Sequence, residues 1–242
     1  MIKDKIYANY YSTRSDRSTD IGNLASKVSH FNRNLISKHL GEISRSDLVL
    51  DLGCGYGALV KDLRYMGFQN VCGCDVSHEM VQLAGELGID KVFENDIFSF
   101  LEKQETESVG AILVVDVLEH LTDSELDRFC ELACSRIKPG GLIITHQPNA
   151  ESPFFGGIRY GDFTHERAFT RVSIEQLFLS YRFLSVTSHE DKPLIYSVSS
   201  FTRRALWSIF VRPLYSFLLA IEVGKPNSKW IFSRNFLSVI KK

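Results

Sequence analysis

From Asp47 onward, short continuous apolar runs alternate with longer segments of helical periodicity. Leu48-Val49-Leu50 closes on Asp51, and Val71-Cys72-Gly73-Cys74 closes on Asp75. Lys91-Val92-Phe93 ends near Asn95-Asp96, Ala111 to Val115 ends on Asp116, and Gly141 to Thr145 ends on His146. Helix-like segments fill 57–66, 77–87 and 123–137, and Pro139-Gly140-Gly141 stops the last of them. Strands alternating with helices at this spacing predict a parallel sheet with crossover helices. Such strands are buried on both faces, which accounts for runs without polar alternation. The acidic and polar residues gather just after the runs. In an open parallel sheet that is the carboxyl edge, where ligands bind.

The flanking segments read differently. Residues 1–46 begin polar and aromatic, with Tyr7, Tyr10 and Tyr11, and then become helix-like, with Val28, Phe31, Leu35 and Leu40 on one side. They predict an N-terminal helical cap on a single domain spanning 47–242. Residues 183–187 and 232–240 predict two further strands, with a helix at 172–179 before them. Between the two strands lies an insertion, 199–224, apolar nearly all round. It carries Arg203, Arg204 and Arg212 toward one end and Pro213 in its middle. It reads as too short and too interrupted to span a bilayer, which takes about 20 apolar residues. A helix of this kind must still be covered. The coverings open to it are the sheet edge, a second subunit in a homodimer, or a membrane interface met peripherally through 203–221.

Composition narrows the classes. Apolar residues make up 44 % and charged residues 24 %, an ordinary globular balance. The formal net charge of −1 supplies no field for nucleic acid, so no nucleic-acid partner is expected. The start lacks an uninterrupted apolar run after its charges, so no signal peptide is expected. Five cysteines, Cys54, Cys72, Cys74, Cys130 and Cys134, form an odd count without framework spacing. That points to a reducing, cytoplasmic setting in which they serve as small hydrophobes.

The sharpest motif is Asp51-Leu52-Gly53-Cys54-Gly55-Tyr56-Gly57, between a strand and a helix. Glycine lets a backbone turn tightly and approach a ligand. The dinucleotide pattern needs G-x-G-x-x-G; here the third glycine comes one residue early, and an acidic residue precedes the first by two. The loop resembles motif I of class I S-adenosylmethionine-dependent methyltransferases, and the order of the later motifs agrees over roughly residues 47–190. The resemblance implies a Rossmann-like, doubly wound α/β sheet of seven strands, six parallel and the last antiparallel. It implies cofactor contacts from Asp51, Gly53, Cys54, Gly55 and Gly57, and from Asp75 with Val76, where Asp75 accepts the ribose hydroxyls. It also implies contacts from Asn95, Asp96 and Ile97 at the adenine, and from Asp116. Lys138-Pro139-Gly140-Gly141 matches the family's turn before the fifth strand. The residue chemistry is consistent. A sulfonium donor without phosphates needs hydrogen-bond acceptors, and a string of carboxylates would repel a dinucleotide. The bland role for each aspartate is a helix N-cap.

On the acceptor side, Asp116-x-x-Glu119-His120 and, later, His165 upstream of Phe169-Thr170 are similar to metal-dependent O-methyltransferases, including those of the ubiquinone pathway. The resemblance implies a magnesium- or manganese-type ion on Asp116, Glu119, His120 and His165, with Asp116 departing from the usual Glu by one methylene. The metal-free alternative makes His165 or His120 a general base. Tyr7, Tyr10, Tyr11 and His30 are candidates for the pocket lid, with Arg14 and Arg17 meeting an anionic acceptor. Residues 159–166 resemble methyltransferases of bacterial surface polysaccharide pathways. That implies O-methylation of a sugar hydroxyl on a nucleotide sugar or on a growing glycan of the O-antigen or capsule type, in the cytoplasm or peripherally on the inner membrane face. The competing readings are a small phenolic or quinone-like acceptor and a non-catalytic cofactor-binding scaffold. The intact glycine loop and Asp75 oppose the last.

Overall fold

The computed structural model describes residues 2–7, 37–225 and 227–242. A short helix α1 (Ile2–Tyr7) and a 3-10 turn (Ser37–His39) precede the sheet. The core alternates β1 (Leu48–Leu52), α2 (Ala58–Tyr65), β2 (Asn70–Asp75), α3 (His78–Glu86), β3 (Val92–Glu94), α4 (Ile97–Glu102), β4 (Val109–Val115), α5 (Asp123–Arg136) and β5 (Ile137–Pro148). Then come α6 (Phe155–Arg159), α7 (Arg171–Leu179), β6 (Ser185–Glu190), α8 (Val198–Leu206), α9 (Arg212–Val223) and β7 (Asn235–Lys241). The strand order is β3-β2-β1-β4-β5-β7-β6. The first five strands pair in parallel, and β7 runs antiparallel to both β5 and β6. This is the expected doubly wound sheet, six strands one way and β7 the other.

The runs are continuous because both faces are covered. Along β1 and β4, Leu50, Leu52, Ile112 and Val114 face a layer containing Phe129, Phe178 and Phe236. Val49, Ala111 and Leu113 face the opposite layer with Leu63, Val71 and Ile144. That is period-two side-chain alternation with apolar residues in both phases. Helix α5 starts with a capping box, Thr122 and Glu125 exchanging hydrogen bonds with each other's backbone N–H. All five cysteines are free thiols.

Three boundaries move. β6 begins at Ser185 rather than 183, because Arg182 sits at φ +66° and Phe183 turns inward edge-to-face against Phe178. β7 begins at Asn235 rather than 232. Asn149 fixes the preceding segment instead, its amide donating to the carbonyls of Ile231 and Ser233, both at 2.9 Å. β5 runs on past His146 to Pro148 because β7 pairs with it that far.

The insertion departs most from expectation. It is one continuous helix, Val198–Val223, of 26 residues. Proline lacks the N–H for an i−4 bond and clashes with that carbonyl. A π-helical turn, Trp207–Val211, ends two residues before Pro213, which occupies the first turn of α9, so the helix continues through it. At 1.5 Å per residue it is about 39 Å long, so neither length nor interruption bars it from matching a bilayer. It does not pack over the sheet edge either: Ser200 is its only buried residue.

Leu40 and Ile43 from the cap segment join the core. Val28, His30, Phe31, Leu35, Tyr10, Tyr11, Arg14 and Arg17 lie outside the described residues.

Candidate active site

The carboxyl edge of the sheet carries two adjoining clusters, one around the glycine loop and one around the end of β4. In the loop, Gly53, Gly55 and Gly57 all take left-handed backbone, with φ of 73°, 53° and 77°. A Cβ on Gly53 would lie 2.4 Å from Val117 Cγ2, and one on Gly57 would lie 2.6 Å from Val92 Cγ2. Glycine is therefore required at both places by conformation and by space. The loop hangs from β2, the Gly53 and Cys54 N–H groups donating to the Cys74 carbonyl at 2.8 and 3.0 Å. Asp75 at the end of β2 accepts from Gly55 N–H at 2.8 Å and Ser77 N–H at 2.9 Å. One carboxylate thus ties the loop to the start of α3. Burial outweighs these bonds and raises the Asp75 carboxyl above its usual range.

Asp51 is 2 % exposed, and burial together with the Asp75 charge pushes its carboxyl up to about 7. Asp96 caps α4, accepting from Phe98 and Ser99 N–H at 3.0 and 2.9 Å. Burial would raise it, but these bonds hold it below the usual carboxylate range. Asn95 N–H donates to the Asp75 carbonyl, Val76 is exposed, and the Ile97 side chain turns into the core.

The second cluster begins at Asp116, a non-glycine residue at φ +54°, whose N–H donates to the His146 carbonyl at 2.9 Å. Strained backbone of this kind concentrates at functional sites. Asp116 Oδ1 lies 2.6 Å from His146 Nδ1, and His146 Nε2 faces Asp191 Oδ2 at 3.4 Å. Burial alone would lower His146, but the Asp116 and Asp191 carboxylates dominate and raise it to about 10. Burial would raise Asp116, and the His146 charge and hydrogen bond outweigh it, so its carboxyl lies below the usual range.

One 3-10 turn later (Leu118–His120), Glu119 is 1 % exposed, and its Oε2 has no hydrogen-bond partner. Burial and the Asp116 charge raise its carboxyl well above the usual range. The His120 and His165 rings meet edge-to-face at 4.7 Å between centroids. Glu119, His120 and His165 each bring one candidate ligand atom to within 4.8 Å of the others, and Asp116 lies outside this trio.

The tautomers follow from the partners. Thr164 Oγ1 donates its single proton to Asp162 at 2.6 Å, so toward His120 Nδ1, 2.8 Å away, it accepts. His165 Nδ1 donates to the Ile158 carbonyl at 3.1 Å. Both imidazoles therefore carry their proton on Nδ1 and leave Nε2 with a lone pair. Arg159 holds the loop from below through the carbonyls of His165 and Glu166, both at 2.6 Å. Burial, with His165 beside it, lowers His120 to about 4.

Helix α1 sits over this cluster. Lys3 Nζ donates to the His120 carbonyl at 2.5 Å and pairs with Glu166 at 2.9 Å, and the Tyr7 ring lies 6.3 Å from that of His120. Among the residues that sequence reasoning missed, Thr164 and Asp162 lie in a segment it singled out. Lys3 and Asp191 gave no signal. His146 was visible as the polar end of a strand, but its two carboxylate partners were not.

A glycine loop below an acidic strand end, on a sheet of this order, defines the class I S-adenosylmethionine-dependent methyltransferase fold. A family model described as a methyltransferase domain matches residues 24–207, and the chain belongs to that family. Over its full length it superposes on a SAM-dependent methyltransferase from Archaeoglobus fulgidus with TM-score 0.67 at 17 % identity, covering 99 % of each chain. A geranyl diphosphate C-methyltransferase from Streptomyces coelicolor A3(2), solved with Mg2+ and S-adenosyl-L-homocysteine, superposes with TM-score 0.59 at 17 % identity, covering 96 % of this chain and 85 % of that one. Among curated proteins, the human mitochondrial ubiquinone biosynthesis O-methyltransferase is 30 % identical over 122 residues, 47 % of this chain and 32 % of its own length. The Methylobacterium nodulans enzyme of the same name is 28 % identical over 121 residues, 46 % of this chain and 47 % of its own length. The chain thus matches a third to a half of the length of these relatives. They carry ubiquinone names and not the surface-polysaccharide names implied by the resemblance at residues 159–166.

Proposed function

We propose that the chain is an S-adenosylmethionine-dependent O-methyltransferase whose acceptor oxygen is prepared by a divalent ion on Glu119, His120 and His165. The observation that carries this reading is the Glu119 carboxyl. It is buried, its Oε2 is without a partner, and it shares a small space with two imidazoles whose Nε2 atoms are bare. A buried acceptor left unpaired costs about 1–3 kcal/mol, and a cation is the group that satisfies a carboxylate and two imidazoles together. The residues therefore fit the ion. The Nδ1 bonds to Thr164 and Ile158 are the outer contacts that orient ligating histidines. Asp116 has a different task. Paired with His146, it fixes the end of β4 between the two clusters.

When bound, the ion lowers the pKa of an acceptor hydroxyl and fixes its position. The rest falls to the chain. The glycine loop and Asp75 hold the donor, and the β4 edge sets the acceptor oxygen in line with methyl and sulfur, a source of much of the acceleration in such transfers. A His120 base without a metal is the weaker reading, because an imidazole lowered to about 4 takes up a proton poorly near neutrality. Acceptors with two adjacent oxygens suit this arrangement. A small phenolic or quinone-like acceptor comes first, given the names of the relatives. A sugar diol of a surface glycan is the finer alternative that the sequence resemblance supplies.

The test is methyl transfer from labelled donor to a catechol and to a vicinal-diol sugar, with chelator and with added Mg2+ or Mn2+. We expect chelator to abolish turnover. His165→Ala should lose more than about 100-fold in turnover while S-adenosylhomocysteine affinity stays unchanged in calorimetry. Turnover indifferent to chelator, or cofactor affinity falling in step with turnover, refutes the assignment.

A further inference from the structure

We propose that the outward face of the helix Val198–Val223 docks in the interface of an anionic lipid membrane, with the helix lying in the membrane plane. Its polarity is reversed relative to a helix on a water-facing surface. Arg204, Arg212 and Tyr215 turn toward the body of the domain. There Arg212 meets Glu190 at 3.2 Å, Arg204 donates to the Pro193 carbonyl, and the Tyr215 ring lies 6.0 Å from that of Phe232. The side facing away presents Leu206, Ile209, Phe210, Leu214, Phe217 and Ile221, half to two-thirds exposed. Their spacing keeps them on one continuous stripe with no charge in it. A contiguous exposed apolar surface of this size marks an interaction site.

Charge selects lipid as the occupant. Residues 198–229 contain five basic residues and one acidic residue, Glu222, in a chain whose net charge is −1; Arg204 and Arg212 are engaged inward, which leaves three facing solvent. Arg203 precedes the stripe, and Lys225 and Lys229 follow it, all exposed. Basic residues at both ends of an apolar face suit anionic headgroups above an acyl boundary.

Connectivity decides between lying and spanning. The helix is about 39 Å long, and the 11 residues 224–234 that return to β7 reach at most about 40 Å when fully extended. A spanning helix would drag that returning strand through hydrocarbon with every backbone N–H and C=O unpaired. Both ends of the helix are also tied to neighbouring strands, β6 and β7, at one edge of the sheet. The helix borders the acceptor side: the Phe154 ring, next to α6, lies 6.3 Å from that of Tyr215. Docking would bring the His165 loop toward the bilayer.

The full chain is tested by flotation with phosphatidylcholine vesicles with and without phosphatidylserine, at low and high salt. Light scattering in parallel reads the mass in solution. We expect flotation with phosphatidylserine that falls with added salt, and partitioning that drops more than about tenfold in Phe210→Glu/Leu214→Glu. The variant should keep its S-adenosylhomocysteine affinity, which shows that it is folded. Absence of flotation with either vesicle overturns the proposal. So does a concentration-dependent dimer that the same double substitution dissolves while vesicle binding is absent, because a second copy would then be the covering.

Discussion

Asp51 carries a measurable charge penalty. It is 2 % exposed at the end of β1, with its carboxyl raised to about 7 by burial and by Asp75. In the unfolded chain an aspartate titrates near about 3.9. Between those values the folded protein holds a proton that the unfolded chain has lost, so stability falls as pH rises, by about 1.4 kcal/mol per unit. The contribution is whole below the unfolded value and gone above the folded one. From about pH 5 to about pH 8, roughly two units of that slope are traversed, which amounts to about 2.7 kcal/mol. Asp51→Asn keeps the shape and removes the proton. The amide has its own fixed cost in the same place, but that cost is the same at both pH values and cancels in the difference. Urea unfolding of the cofactor-free protein and the variant at the two pH values should therefore show the variant gaining about 2.7 kcal/mol on the native chain as pH rises. In thermal melts the relative gain is roughly 5–11 °C. Parallel pH profiles for the two proteins would refute the argument and mean that Asp51 is ionised in the fold at both pH values.

Asp75→Ala removes the proposed ribose acceptor and frees the Gly55 and Ser77 N–H groups. Hydrogen bonds to a charged group are worth about 1.5–3 kcal/mol each, so S-adenosylhomocysteine affinity should fall more than about 100-fold in calorimetry; unchanged affinity would show that Asp75 does not hold the donor. Gly57→Ala must hold φ +77° and place a Cβ 2.6 Å from Val92 Cγ2 and 3.1 Å from Ile89 Cγ2. The left-handed backbone and the overpacking together cost about 2–4 kcal/mol, read by urea unfolding, and a loss under about 1 kcal/mol would mean the loop relaxes freely.

The sheet was legible because a parallel strand buried on both faces writes itself as an unbroken apolar run, and because each run ended in the residue that meets the ligand edge. Asp51, Asp75, Asp96 and Asp116 all stand at or just past such ends, and the glycine spacing together with these carboxylates argued against a dinucleotide site. What the pattern could not carry is which partner a side chain takes across the fold. Asp96 and Asp116 look alike in sequence, yet one caps a helix through Phe98 and Ser99, and the other pairs with a histidine 30 residues away. The tautomer of His120 depends on where one hydroxyl proton of Thr164 goes, and that is decided by Asp162.

The helix at 198–223 shows the same limit from the other side. Its apolar content was plain and Pro213 read as a break, because a proline rule applied locally does not foresee a π turn that absorbs the missing bond. Composition also could not say which way the helix would face. The orientation is set by Arg212 reaching Glu190 at the end of β6. Once that arginine is anchored inward, the helical repeat puts Phe210, Leu214 and Phe217 on the opposite, outward side. The inward contacts of Arg212, Arg204 and Tyr215 therefore turn an apolar segment into an exposed surface.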